Sequence, residues 1–145
     1  MLKNIDPLLS PRLLEALRAM GHGDDICLVN ANFPAEALAT GRPLIRLDGL
    51  SMNQVANAIF SVLPLDSFVD QPLLRMEVVG QPQEMAPVQQ EVLALARQHN
   101  TPDLQMGSLE RFAFYEAARK AFVVVATGDR RPYGCFLVKK GVIFG

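Results

Sequence analysis

Short, mostly apolar runs alternate along this chain with longer segments whose apolar residues return every three or four positions. That alternation constrains the fold more than any other feature. Ile26-Cys27-Leu28-Val29, Leu44-Ile45-Arg46-Leu47, Leu73 to Val79, Phe122-Val123-Val124-Val125-Ala126 and Phe136-Leu137-Val138 read as strands, with an extended piece at Leu104-Gln105-Met106. Near-continuous apolar runs of this length suit strands covered on both faces. Ser10-Pro11 starts a helix, with a capping hydroxyl and a proline at the first helical position. Leu13, Leu14, Leu17 and Met20 follow at helical spacing, and Gly21 suits a left-handed stop. Ser51 caps a second helix that carries Met52, Val55, Ala56, Ile59, Phe60 and Leu63 and ends at Pro64. Two more helices run from Pro87 to about His99 and from Ser108 to Lys120. Strands alternating with helices predict one α/β domain over residues 1–145, with three layers, α/β/α, around a mixed, largely covered sheet. The last two strands are joined too closely for a helical crossover, so at least one pair is expected to be antiparallel.

Composition removes several function classes. A balance of 14 Lys+Arg against 15 Asp+Glu leaves no basic stripe for nucleic acid. No run reaches the roughly 20 apolar residues of a membrane span, and Met1 to Pro7 lacks the apolar core of a signal peptide. Cys27 and Cys135 lie far apart, each in an apolar stretch, which fits reduced thiols in a cytoplasmic protein better than a disulfide or a zinc site. A hydrophobic content of 50% hints at apolar surface covered in an oligomer.

The candidate chemistry centres on His22. Gly21 and Gly23 strip the side chains from both of its neighbours, so the imidazole can stand free in a cleft. Histidine titrates near neutrality and is the commonest general acid/base. Asp24 is a carboxylate neighbour, or else it caps the next element. With a single histidine and no thiolate beside it, a metal is not expected. Gly21-His22-Gly23 fails the dinucleotide fingerprint, since Ile26 holds the sixth position and a helix, not a strand, precedes it. Arg111 opens a helix, where a cation opposes the dipole; it is either recruited for a polar ligand or paired with Glu110 or Asp103. Tyr133, between Pro132 and Gly134, can pack on a sugar ring and donate its hydroxyl, or seal a core edge. Phe112, Phe114 and Tyr115 read as core or subunit contact.

Taken in order, Met1-Leu2-Lys3-Asn4-Ile5, Met20-Gly21-His22-Gly23-Asp24, Asn32-Phe33-Pro34, Arg111-Phe112-Ala113-Phe114-Tyr115-Glu116, Tyr133-Gly134 and Lys140-Gly141-Val142 resemble the D-ribose pyranase / L-fucose mutarotase family over nearly the whole chain. The resemblance implies an α/β domain in a ring-like homo-oligomer, often decameric, with active sites shared between neighbouring subunits. It implies interconversion of anomers, or of pyranose and furanose forms, of a free monosaccharide without cofactor. By the same resemblance His22 is the proton donor, and Asn30, Arg111, Tyr133, Gly134 and Cys135 bind sugar. Arginine at 111 is similar to the fucose branch, where the ribose branch typically carries histidine.

Two positions depart from the family pattern. Asn30 stands where many members carry Asp, and Cys135 where many carry Asn. Asn30 can hydrogen-bond a hydroxyl but cannot accept a proton as a base. Two functions follow as expectations: a mutarotase acting on L-fucose or a related sugar, or a non-catalytic sugar-binding accessory protein of carbohydrate metabolism. The chemistry of the first needs one proton delivered to the hemiacetal ring oxygen and one removed from the anomeric hydroxyl, which a group titrating near neutrality can serve.

Overall fold

The computed structural model describes residues 1–145. Its elements run α1 (Pro11–Ala19), β1 (Asp25–Val29), α2 (Ala35–Leu38), β2 (Leu44–Leu47), α3 (Met52–Phe60), β3 (Leu73–Met76), α4 (Pro87–His99), β4 (Met106–Leu109), α5 (Arg111–Lys120), β5 (Val123–Thr127) and β6 (Phe136–Lys139). The strands form one sheet in the order β2-β5-β1-β6-β3-β4. Only β6 runs against its neighbours, β1 and β3; the pairs β1–β5, β2–β5 and β3–β4 are parallel.

Both faces of the sheet are covered, as the apolar runs require. Ile26 and Leu28 of β1 face one core with Leu13, Leu17, Ile59 and Val92 of α1, α3 and α4. Cys27 and Val29 face a second core with Leu38 of α2 and Phe114 and Ala118 of α5. Successive side chains of a strand point to opposite faces, so both must be apolar when helices cover both. Two of the helix starts carry the caps the sequence shows. Ser10 accepts the Leu13 N–H, and Ser51 forms a reciprocal capping box with Gln54.

Several boundaries differ from the sequence reading. Gly21 is not left-handed; α1 stops at Met20, and Gly23, with φ of 89°, makes the turn that re-aims the chain into β1. α3 ends at Phe60, four residues before Pro64. β3 ends at Met76, short of Val79. The extended piece lies later than expected, at Met106–Leu109, and Ser108 belongs to it; the last helix starts at Arg111, where the Glu110 side chain accepts the Phe112 and Ala113 N–H groups. The last two strands do not pair with each other, because β1 lies between them. The antiparallel character sits in β6, which the link from Gly128 to Cys135 carries past β1.

This topology sets two rims. Asn30, following β1, Met76 at the end of β3, and Arg111, following β4, gather where the parallel strands end, and Cys135 joins them because β6 starts there. The opposite rim holds His22, before β1, and Lys139 and Lys140, at the end of β6.

Candidate active site

A cleft of about 290 Å³ opens at the carboxyl ends of the parallel strands, the usual ligand position in open α/β sheets. Asn30, Arg111, Tyr133 and Cys135 line it, together with Phe33, Met76, Val79 and Tyr115. The fold thus brings four sequence-nominated residues together. Gly134 backs the wall, where a Cβ would come 3.6 Å from the Cβ of Asn30. The volume is small, at the lower end for ligand sites, and the lining mixes flat aromatic surface with hydrogen-bonding tips.

Asn30, Arg111, Tyr115 and Tyr133 are held in place by hydrogen bonds. Asn30 donates from Nδ2 to the Arg131 carbonyl at 3.0 Å and accepts the Asn32 N–H at 3.2 Å. Arg111 pairs with neither Glu110 nor Asp103; its Nε donates to the Tyr115 hydroxyl at 3.0 Å, and its guanidinium lies over the Tyr115 ring. One helical turn separates the two, and Tyr115 both lines the cleft and packs against the second core, while Phe114 is core and Phe112 is exposed. The Tyr133 hydroxyl accepts the Val79 N–H at 3.1 Å and keeps its own proton to donate. Burial pushes the Cys135 thiol up to about 12, so it lines the cleft as a neutral group.

His22 is absent from this cleft. It stands on the opposite rim, and its carboxylate partner is Asp66 in place of Asp24: Nε2 lies 3.1 Å from Asp66 Oδ1. Asp24 instead accepts the Gly21 N–H at 2.7 Å and closes the turn. The buried Asp66 carboxyl is held below its ordinary range by the Phe68 N–H first, and by His22, against the opposing effect of burial. An ionised carboxylate can only accept, so the imidazole donates from Nε2, and Nδ1 is the ring nitrogen without a partner in the chain. Lys139 Nζ on the Gly23 carbonyl, and Lys140 Nζ on the Leu17 and Met20 carbonyls, clamp the loop around the histidine. An exposed aromatic side chain packs beside it. Phe68, 66% exposed, lies 5.2 Å from the imidazole ring, and Phe144, 76% exposed, stacks edgewise on Phe68. No three His, Cys, Asp or Glu side chains gather closely enough to hold a metal ion.

The family model for the RbsD / FucU transport protein family matches residues 3–143. The chain belongs to that family. It is 43% identical to the fucose mutarotase of Homo sapiens over 146 residues, covering 98% of this chain and 94% of the relative. FucU from Bifidobacterium longum superposes with a TM-score of 0.92 at 38% identity, covering 98% of this chain and all of that one. The fucose mutarotase from Streptococcus pneumoniae, solved in complex with L-fucose, gives a TM-score of 0.84 at 37% identity, covering 99% of this chain and all of that one.

Sequence reasoning missed Asp66 and Tyr115. Asp66 lies 44 residues from His22, and only the backbone of β6, whose Lys139 carbonyl takes the Asp66 N–H, brings the two together. The one available signal was its setting after Pro64-Leu65, where the preceding helix must have ended, and that names no partner. Tyr115 was visible as an aromatic four residues from Arg111, a spacing that puts both on one helix face.

Proposed function

We propose that this chain is a mutarotase for L-fucose or a closely related free sugar, acting as one α/β domain over residues 1–145 in the cytoplasm. Each site pairs the cleft of one subunit with His22 and Asp66 of a neighbour in a ring-like homo-oligomer. The observation that carries the reading is the split itself. Sugar-sized walls stand on one rim and an oriented acid/base dyad on the other, and exposed Phe68, itself packed on exposed Phe144, lies beside the dyad. A monomer exposing such surface is unsatisfied, and a second copy covers it.

The chemistry follows from the groups. In ring opening the Tyr133 O–H donates to the ring oxygen, leaving a transient phenolate, while Nδ1 of the neighbour's histidine takes the proton of the anomeric hydroxyl. In ring closure that histidine is the proton donor the sequence led one to expect, and the phenolate recovers its proton from the sugar hydroxyl. The C1–O5 bond breaks and the open aldehyde forms. Rotation about C1–C2 presents the other carbonyl face, and the reverse proton transfers close the opposite anomer. Asp66 stabilises the transient imidazolium. Arg111 and Asn30 hold the remaining hydroxyls, which fixes the ring while C1 turns. Phe33 and Tyr115 supply apolar surface for the sugar's C–H face.

Saturation-transfer NMR on fucose, ribose, galactose and rhamnose tests the reading. Acceleration of exchange between the anomer signals of fucose is the expected result. Signals that shift or broaden without faster exchange make the protein a sugar binder and overturn the catalytic assignment.

A further inference from the structure

Gln89, on the inner face of α4, is a fully buried polar side chain in an otherwise apolar helix face. Buried amides need their hydrogen bonds, and this one has three. Its Oε1 accepts the Ala86 N–H at 3.1 Å, while Nε2 donates to the Met76 carbonyl at 2.8 Å and to the Tyr133 carbonyl at 3.0 Å. Met76 and Tyr133 both line the cleft, and the one nitrogen ties their carbonyls together. Tyr133 is also one of only two non-glycine residues with positive φ, at 62°. A bulky side chain holds that conformation only where its surroundings impose it.

We propose that Gln89 is the positioning residue that sets Tyr133 for catalysis. Its single carboxamide group ties the two lining segments to each other and holds the left-handed turn, so that the Tyr133 hydroxyl reaches both the Val79 N–H and the sugar. Gln89 does not line the cleft and acts only through Tyr133. The inference rests on the mutarotase reading above, and its test separates the two.

Gln89→Met keeps the length and volume but removes the donor. Loss of the amide lowers kcat for fucose anomer exchange about tenfold with KM changed less than about threefold, because hydroxyl placement, not sugar affinity, is disturbed. On a Tyr133→Phe background Gln89→Met adds no further loss, as expected of a residue working through that hydroxyl. The chain has two tyrosines, Tyr115 and Tyr133, so ring-labelled tyrosine gives two NMR signals, assigned by Tyr133→Phe. Gln89→Met moves the Tyr133 signal and leaves that of Tyr115. Losses that add on the Tyr133→Phe background, or an unmoved Tyr133 signal, overturn the proposal. If the wild-type protein does not accelerate exchange, the mutarotase reading fails, and the NMR signal still decides whether Gln89 holds Tyr133. Gln89→Leu removes the donor without burying a charge, and it replaces the Met variant in the same measurements if that variant does not fold.

Discussion

His22 and Asn30 stand at opposite ends of β1, one before its first residue and the other after its last. A five-residue strand advances about 13 Å from end to end, more than twice the width of a pyranose ring. One sugar cannot touch both residues of the same chain, so any site using both takes them from two subunits.

That geometry predicts complementation. His22→Ala and Tyr133→Phe are each expected to abolish most fucose exchange. Mixed one to one, unfolded and reassembled, they should recover about a quarter of wild-type activity, the share of sites that random assortment leaves with both groups intact. Exchange measured by NMR after reassembly checks this; recovery near zero means both groups serve within one chain.

Removing the carboxylate behind the histidine should matter without moving the fold. Asp66→Asn leaves a carboxamide to the Phe68 N–H but no charge to stabilise imidazolium, so kcat is expected to fall about 10²-fold. An unchanged rate would remove Asp66 from the dyad.

The exposed phenylalanines should hold the assembly. Phe68→Glu places a charge in the apolar patch beside His22, and light scattering is expected to show smaller species that have lost exchange activity together with size. A full-sized assembly would sever the patch from the interface.

Acid should loosen the cleft from behind. Arg131 holds the Asp129 carboxyl down to about 2 from the ordinary 3.8, and Asp129 also accepts the Met52 N–H that starts α3. A depressed carboxylate stabilises the fold above its unfolded value, and the contribution disappears as pH falls from about 4 toward 2. Arg131 is 41% exposed, so solvent screening limits the effect to about 1–2 kcal/mol. Denaturant titrations across this window should show the loss in the wild type and not in Asp129→Asn.

The departure at position 30 makes a further prediction. The Asn30 amide donates to the Arg131 carbonyl, so Asn30→Asp sets a carboxylate against that oxygen and costs about 1–2 kcal/mol near neutral pH. The cost should fade in acid, where the protonated carboxyl can donate. Thermal melts at pH 7 and pH 4 measure it.

The sequence by itself determined the layers, two of the helix caps and four of the residues that line the cleft. Apolar runs such as Val123-Val124-Val125 have no polar face to offer solvent and can only be strands between two helix layers, and Ser10 and Ser51 cap through bonds three residues long. Local signals of that kind are physical facts about neighbouring residues. The tertiary structure alone decided strand order, the pairing of His22 with Asp66, and the hold of Gln89 on Tyr133. Each joins segments dozens of residues apart, where propensity and periodicity carry no information. It also decided that His22 and Asn30 face apart, because the chain must run the length of β1 between them.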